Sequence, residues 1–449
     1  MQDHDAAERL LVGNEQRVGE PVAGAELLGR GGGGASHPLH NAAPMAATRA
    51  LSAAWPLASR LSEAGRLEVA GCDAIELAER FGTPAYLLAE DDICARARAV
   101  REALDARVPG GEVLFASKAL PVTAVCRLMA EQGLSADVAS GGELHMALAA
   151  GVDPARIYLH GNAKDEAELR AALRAGVGCV VIDNADDLRR LEALAPGRRV
   201  RVLLRVNPDV AGDTHAFIST GQAESKFGVP LSQAPAMIAA LDASAAVTLD
   251  GLHVHIGSQL LDLHPFERAA AAIAPLGDFS TYDLGGGLGA AYLEGDDPPS
   301  LEEWVDAVVG AVDEHLGPGK RVLLEPGRAL VANAGVTLYR VVTVKTGGAI
   351  TWVAVDGGMS DNLRPMLYGA RYEAQVADRF GGGTACRLVG KHCESSDVIA
   401  VPATGAYGHA LANNYNGVPR PPVVLCRDGD AKVVVRRETY DDLLARDVV

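Results

Sequence analysis

The feature that most restricts the fold is a regular alternation of short apolar runs with helix-forming stretches between residues 110 and 330. The first five runs recur about every 22 residues, the length of one strand and one helix. This alternation predicts a parallel sheet with helical crossovers, and eight units favour an α/β fold of the (β/α)8 TIM-barrel type over an open doubly wound sheet. The eight predicted strands are Val113–Ala116, Ser135–Val138, Ile157–His160, Cys179–Ile182, Val200–Val206, Gly251–Ile256, Tyr282–Leu284 and Val322–Glu325.

Between these runs the apolar residues have the spacing typical of helices. After about residue 334 the sequence consists mainly of strand-like runs with few helical segments. We therefore expect the barrel over residues 91–333 and a C-terminal, mainly β domain over residues 334–449. Residues 56–90 are expected to contribute to that β domain. The predicted helices include Val122–Gln132, Gly142–Ala150, Asp165–Ala175 and Leu301–His315; the later strands are Val336–Thr346, Ile350–Val355, Cys386–Val389, Asp397–Pro402 and Val423–Arg427.

Residues 1–55 differ from the rest of the chain. They contain four consecutive glycines, Gly31–Gly34, and much Ala and Ser, without a sustained helical or strand period. They also lack the charged-then-apolar layout of a secretory signal. We interpret them as a disordered N-terminal extension, and Met45 as an alternative start of translation.

Composition restricts the partners and the compartment. The formal net charge of −17 argues against a nucleic-acid partner, since binding to phosphate backbones requires a basic surface. No apolar run approaches the roughly 18 residues that span a bilayer, so no membrane association is expected. The seven cysteines include no CxxC pair, which is typical of a reducing cytoplasm rather than a disulfide framework.

Polar side chains follow the ends of several predicted barrel strands. Reactive groups of such barrels lie beyond the carboxyl ends of the strands, so these side chains are expected to share one face. The pattern is hard to explain by solubility alone. The residues concerned are Lys118, Asp137, His160, Asn162, His253–Ser258, Gly285–Gly289 and Glu325–Arg328.

Each of these features alone has an ordinary explanation. A lysine after a strand is usually solvated, and a glycine-rich loop is usually a tight turn, although such a loop also suits a phosphate at a helix N-terminus. His253 and His255 share one face of a strand by its two-residue period, which is compatible with a metal-dependent hydrolase. No third ligand at suitable spacing is evident, so no metal is predicted.

The whole set, in this order, resembles the diaminopimelate decarboxylases, which are pyridoxal-phosphate (PLP) enzymes of the alanine-racemase-like barrel type. The similarity runs from about residue 66 to the end of the chain. Two departures from the usual family motifs are Ser396 and the pair His409–Ala410. The matching motifs are Phe115–Lys118, Ser135–Glu143, His160–Lys164, His253–Gln259, Gly285–Gly289, Glu325–Arg328, Asp356–Met359, Arg364–Tyr368, Cys393–Ser395, Gly405–Gly408 and Asn414–Asn416.

The resemblance implies a set of cofactor-binding and catalytic residues. Lys118 would bind PLP covalently, Glu325 would keep the pyridine nitrogen protonated, and His255 would stack on the ring. Cys393 would return a proton to the substrate from the active site of the other subunit, which implies a homodimer. The remaining candidates for cofactor contact are Asp137, Ser258, Gly285, Gly286, Gly287, Arg328 and Tyr407.

The substrate implied by the resemblance is meso-2,6-diaminopimelate, which carries a second amino-acid head. Arg364 suits the distal carboxylate, since a guanidinium binds carboxylates with two parallel hydrogen bonds. Glu394 suits the distal ammonium, and Tyr368, Arg328 and Tyr407 complete the expected substrate contacts. The alternatives are a decarboxylase of lysine, ornithine or arginine on the same fold, and a non-catalytic PLP-fold regulatory protein.

Overall fold

The computed structural model describes residues 51–210, 226–347, 350–380, 386–390 and 397–448. Cys393, Glu394 and Ser396 lie outside the described residues, as does most of the expected N-terminal extension. The described chain is packed from its first residues, ahead of the boundary expected at residue 56. Trp55 is buried, stacks on Phe380 with ring centroids 5.4 Å apart, and donates from Nε1 to Glu373 at 2.9 Å.

Eight parallel strands form a closed barrel, which confirms the predicted fold class. The strands follow one another around the barrel in chain order, and the last pairs with the first to close it. Their bodies are buried, as expected for parallel strands covered by helices. The strands are Glu112–Ala116, Ser135–Val138, Ile157–Leu159, Cys179–Ile182, Val200–Asn207, Val247–His253, Thr281–Asp283 and Arg321–Leu324.

Helices with clear end signals surround the barrel. Helix Glu166–Ala175 begins at a capping box between Asp165 and Glu168 and ends at Gly176, which adopts the left-handed conformation that glycine favours. Most buried residues of these helices belong to the same apolar core as the barrel strands. The helices are Glu90–Asp105, Thr123–Glu131, Gly141–Ala149, Glu166–Ala175, Ala185–Leu194, Ala234–Ala243, His264–Ile273, Leu301–His315 and the short Arg328–Val331. No helix in the described ranges is long and apolar enough to cross a bilayer.

A second, sheet-rich region packs beside the barrel. Its long strand Gly335–Gly347 pairs antiparallel with Ala85–Ala89, so the chain before the barrel contributes a strand to this sheet. Residues Ser59–Leu61, Leu67–Val69 and Cys72–Asp73 form a separate small sheet, followed by helix Ala74–Phe81. The other elements are strands Ile350–Val355, Gln375–Val376, Cys386–Val389, Val398–Pro402, Val423–Arg427 and Asp430–Val435, and helices Arg364–Tyr368 and Tyr440–Leu444.

The sixth barrel strand differs from its prediction. Gly251–Ile256 was expected, whereas the strand covers Val247–His253 and contains a register shift between Leu249 and Gly251. A side chain at position 251 would place its Cβ 1.7 Å from the Thr281 carbonyl oxygen, so glycine is required there. Because the strand also ends earlier than predicted, residues 254–256 lie beyond it, and His255 is at the barrel mouth.

Candidate active site

A cavity of about 380 Å³ opens at the carboxyl ends of the barrel strands. This is the face where barrel enzymes place their reactive groups. Nine of the residues expected to contact the cofactor or the substrate line it together, as do His160 and His253. The nine are Lys118, His255, Ser258, Gly287, Glu325, Arg328, Arg364, Tyr368 and Tyr407.

Lys118 lies in a short turn, Ser117–Ala119, directly after the first barrel strand. Its side chain is 43% exposed because it faces the cavity, and its Nζ atom lies 4.0 Å from Asp137 Oδ2. Burial within the protein would lower the pKa of Lys118, but the Asp137 carboxylate, with Tyr407 and Glu325, raises that pKa above its usual value. Asp137 pairs with this amine: burial and Glu325 raise the pKa of Asp137 well above its usual range, whereas the charge of Lys118 opposes that shift.

Glu325 also lines the cavity and lies between two imidazoles. Its Oε1 atom is 3.1 Å from His160 Nε2 and 3.2 Å from His253 Nε2, and all three residues are buried. Burial would raise the pKa of Glu325, but the two histidines hold it well below its usual range. Burial also lowers the pKa of His160 and His253. Because a neutral imidazole exerts no net charge on the carboxylate, the three groups titrate together as one cluster, in which Glu325 favours its ionised form.

His255 is held in one tautomer by the glycine-rich loop. The backbone N–H of Gly286 donates to His255 Nδ1 at 3.2 Å, so the ring proton resides on Nε2. Burial and the charge of Lys118 lower the pKa of His255 well below its usual value, which keeps the ring neutral. A neutral flat ring at this position suits stacking on an aromatic cofactor.

The three loop glycines have a packing reason that the sequence analysis did not identify. A Cβ at Gly285 would lie 2.6 Å from the Val254 carbonyl oxygen, and one at Gly286 would lie 2.0 Å from that of Glu325. Of the three, Gly287 lines the cavity. The loop therefore requires glycine to pack on neighbouring strand ends, and not only to allow an anion to approach.

Arg328 connects the barrel wall to the β domain. Its Nη2 atom donates to Ser258 Oγ at 2.8 Å, and its Cζ atom lies 4.8 Å from the centre of the Tyr407 ring. The backbone N–H of Tyr407 donates to the Ala119 carbonyl at 2.8 Å, next to Lys118. These contacts bring a buried guanidinium and two hydroxyls to one side of the cavity.

Arg364 begins the short helix Arg364–Tyr368 of the β domain and is 6% exposed. Its Nη1 atom donates to the Tyr372 hydroxyl at 2.5 Å, and its Cζ atom lies 4.5 Å from the Tyr292 ring centre. None of the ion pairs between described residues involves Arg364, and its Nε is buried without a hydrogen bond. A buried cation in this state fits an anionic ligand.

Arg205 is a cavity residue that the sequence analysis missed. It lies within the strand Val200–Asn207, 3.7 Å from Asp183 and over the ring of Phe227 at 4.6 Å. Burial lowers its pKa, although Asp183 opposes the shift. The sequence signal that could have identified Arg205 as a site residue is a charged residue near the end of an otherwise apolar strand.

His253 and His255 do not form the shared metal-binding site that the metal-dependent hydrolase alternative requires. His255 Nδ1 accepts a hydrogen bond from Gly286, and the ligand atoms that lie within 4.8 Å of one another are those of His160, His253 and Glu325. A metal-binding histidine usually donates its other ring N–H to a partner, whereas His253 Nδ1 has none in the described structure.

The residues present fit PLP. A lysine amine faces the cavity, and a buried carboxylate whose Oε1 lacks a hydrogen bond lines the same cavity. A neutral imidazole and a buried guanidinium complete the set needed for an aromatic ring and a phosphate. The amine suits the cofactor's aldehyde, the carboxylate suits its pyridinium nitrogen, the imidazole suits the face of its ring, and the guanidinium suits its phosphate.

Comparison with known proteins agrees with this chemistry. The sequence model of the pyridoxal-binding domain of pyridoxal-dependent decarboxylases matches residues 90–332. A diaminopimelate decarboxylase of Actinosynnema pretiosum is 47% identical over 421 residues, covering 88% of this chain and 95% of the relative. That of Bacillus subtilis is 41% identical over 425 residues, covering 87% and 97%.

A solved structure shows the same architecture. The crystal structure of diaminopimelate decarboxylase from M. jannaschii in complex with L-lysine is 32% identical and has a TM-score of 0.81. The match covers 88% of this chain and 98% of that protein. Because sequence and fold agree over most of the chain, the protein belongs to the diaminopimelate decarboxylase family of PLP-dependent enzymes.

Proposed function

We propose that this protein decarboxylates meso-2,6-diaminopimelate to L-lysine and CO2 with PLP as its cofactor. The observation that carries the substrate assignment is Arg364, a buried cation at the cavity that has no carboxylate partner among the described residues. Lysine, ornithine and arginine have no distal carboxylate to pair with it. A buried unpaired charge would be strongly unfavourable in an enzyme for those substrates.

PLP supplies the electron sink that accepts the bonding electrons when CO2 leaves. Lys118 is proposed to bind the cofactor covalently, and Asp137 to hold the charge of its amine. Glu325 is ionised, so its carboxylate would retain a proton on the pyridine nitrogen and strengthen the electron withdrawal. Its contacts with His160 and His253 fix the position of that carboxylate.

The other cavity residues bind and orient. His255 is proposed to cover one face of the cofactor ring, and Arg328, Ser258, Tyr407 and the N–H group of Gly287 to receive its phosphate. The expected contacts of Gly285 and Gly286 with the phosphate are not supported, because their N–H groups donate to Asp283 and His255. Arg364 and Tyr368 are proposed to bind the distal head of the substrate. The 6% exposure of both arginines indicates that their cations are largely removed from bulk water, where contacts with anions gain strength.

Cys393 and Glu394 are proposed to complete the site from a second copy of the chain. Cys393 would donate the proton that replaces CO2, and Glu394 would bind the distal ammonium. An apolar patch near the cavity supports a homodimer: Met359, Met366 and Leu367 are 36%, 61% and 45% exposed, and Met366 and Leu367 belong to the helix that carries Arg364. The six described cysteines are free and buried, in keeping with a cytoplasmic enzyme.

The test is CO2 release by the purified holoenzyme from meso-diaminopimelate, L-lysine, D-lysine, ornithine and arginine. The proposal predicts release from meso-diaminopimelate with L-lysine formed in equal amount, and little from the others. The matched variant Arg364→Leu should lose most of this preference. Turnover of lysine, ornithine or arginine at a comparable rate, or none of any substrate, would contradict the proposal.

A further inference from the structure

Two buried cysteines meet where the small N-terminal sheet packs on the β domain. Cys72 belongs to strand Cys72–Asp73, which precedes the barrel, and Cys426 belongs to strand Val423–Arg427 near the end of the chain. Their exposed fractions are 4% and 0%. The two thiols are hydrogen-bonded to each other, and both are in the reduced form. Two thiols from distant parts of the chain are thus in contact.

The strand that carries Cys426 directs this thiol toward Cys72. Successive side chains of a strand point to opposite faces of its sheet. Val424 and Cys426 belong to the same apolar cluster as Cys72, whereas Leu425, between them, packs in the core that the barrel shares. The contact between the thiols therefore follows from the way the small sheet covers one face of this strand.

The turn after that strand holds Cys72 in place. The Cys72 thiol donates to the Asp430 carbonyl at 3.3 Å, and the Gly429 N–H donates to the Ala70 carbonyl at 2.9 Å. A Cβ at Gly71 would lie 2.8 Å from the Gly429 nitrogen, so the two segments touch. Gly71, Gly429 and Asp430 are exposed. Cys72 consequently lies directly beneath the surface, where a small oxidant can reach it once the turn moves.

The two thiols differ in acidity. The hydrogen bond from Cys426, helped by the backbone N–H of Arg427, lowers the pKa of Cys72, although burial opposes the shift. The same hydrogen bond, together with burial, raises the pKa of Cys426. Among the six cysteines in the described ranges, Cys72 is the one whose pKa is lowered. Because the thiolate is the reactive form, Cys72 is the better nucleophile of the pair.

We propose that Cys72 and Cys426 form a modification site, a dithiol that a hydroperoxide such as hydrogen peroxide converts to a disulfide. The Cys72 thiolate attacks the peroxide, the O–O bond breaks, and a sulfenic acid forms while hydroxide leaves and takes up the proton that Cys72 had lost. Cys426 then attacks the Cys72 sulfur, so that the S–S bond forms, the S–O bond breaks, and the oxygen leaves with the Cys426 proton as water. The two thiols lose two electrons in total, and the peroxide is reduced to two waters.

The disulfide would join the segment before the barrel to the last strands of the β domain. A cross-link between residues far apart in sequence restricts the unfolded chain most, so the oxidised protein should resist unfolding. A thiol reductant would restore the dithiol, as expected of a transient disulfide in a reducing compartment. Neither cysteine lines the cavity, so this inference does not depend on the proposed function.

The experiment treats the reduced holoenzyme with a small molar excess of hydrogen peroxide, alkylates the remaining thiols and maps the cysteines by peptide mass spectrometry. Wild type should give a linked peptide that contains Cys72 and Cys426 and that a thiol reductant removes. Its melting temperature should rise by about 5 °C on oxidation, and that of Cys72→Ala should not. Cys426→Ala should stop at a Cys72 sulfenic acid, which dimedone traps, whereas Cys72→Ala should leave Cys426 reduced.

Cys94→Ala is the matched control, because Cys94 is a buried cysteine on helix Glu90–Asp105 whose pKa is raised. It should form the disulfide at the same rate as wild type. The inference is overturned if Cys72 and Cys426 both stay reduced in folded wild type under a large molar excess of peroxide. It is equally overturned if Cys426 is oxidised as fast in Cys72→Ala as in wild type. The mapping of wild type requires no substitution, so a variant that fails to fold does not prevent a decision.

Discussion

Lys118 Nζ and Asp137 Oδ2 lie 4.0 Å apart at the mouth of the barrel. Lys118 follows the end of the first barrel strand, and Asp137 lies near the end of the second, which pairs with the first. We expect this pair to control when the lysine amine loses its proton, and only a neutral amine can react with an aldehyde. Burial alone would lower the pKa of Lys118, and the Asp137 carboxylate raises it.

Asp137→Asn should therefore lower the pKa of Lys118 and make the neutral amine available at lower pH. The pH profile for covalent attachment of PLP to the apoenzyme should shift down by about one unit. The measurement is the attachment rate, followed by absorbance across a pH series, with Asp356→Asn in the β domain as the control. An unchanged profile, or a shift to higher pH, would refute the counter-ion role of Asp137.

Glu325→Gln should reduce kcat by about 10²-fold, because an uncharged amide does not hold a proton on the pyridine nitrogen. The change preserves side-chain shape, so cofactor content and melting temperature should stay close to those of wild type. Glu112→Gln provides a matched control, since Glu112 is a largely buried carboxylate that pairs with Arg321 outside the cavity. If the Glu325→Gln enzyme has full cofactor content and the kcat of wild type, Glu325 has no role in the mechanism.

The proposed sharing of active sites between subunits predicts complementation between two inactive variants. Lys118→Ala should lose covalent cofactor attachment, and Cys393→Ala should lose about 10²–10⁴ in turnover while retaining the cofactor. After subunit exchange in an equal mixture, one of the two sites in each mixed dimer is intact, so roughly a quarter of wild-type activity should return. If the mixture stays as inactive as its components although subunits exchange, Cys393 does not act across an interface.

Asp361 in the β domain predicts a pH dependence of stability. It is 1% exposed, accepts a hydrogen bond from the Tyr339 hydroxyl at 2.6 Å, and burial raises its pKa from 3.8 to about 6. Because the folded-state pKa exceeds the unfolded value, the native state binds more protons between these values, and stability falls as pH rises through that window. Relative to wild type, Asp361→Asn should therefore gain about 2 kcal/mol between pH 4.5 and 7.5.

The measurement for Asp361 is urea unfolding of wild type and variant at both pH values. Asp356→Asn, in the same segment but only half-buried, is the control for loss of a carboxylate in this region. A constant difference between Asp361→Asn and wild type across the pH range would show that this carboxyl does not titrate on its own within the window.

Much of the fold and the inner cavity could be predicted from the sequence for one physical reason. A parallel barrel collects the carboxyl ends of all its strands on one face, so residues such as Lys118, Asp137 and Glu325 converge wherever the strands are located correctly. The sixth strand was misplaced because the register shift beside Gly251 interrupts the periodic pattern.

The outer part of the site depended on contacts that no local pattern encodes. In the sequence nothing distinguishes Tyr292 from an ordinary buried residue after a glycine-rich loop. Its two arginine partners come from different domains. Arg205 was missed because the surrounding apolar run indicates a buried strand, where a charge is exceptional. Their positions follow from packing between distant segments rather than from spacing along the chain.

The central claim is that one cavity holds PLP between Lys118 and Glu325, and a crystal structure of the holoenzyme tests it most directly. The account predicts continuous electron density from Lys118 Nζ to the cofactor, with the pyridine nitrogen within hydrogen-bonding distance of the Glu325 carboxylate. Density for the cofactor joined to another lysine, or a pyridine nitrogen turned away from Glu325, would contradict it.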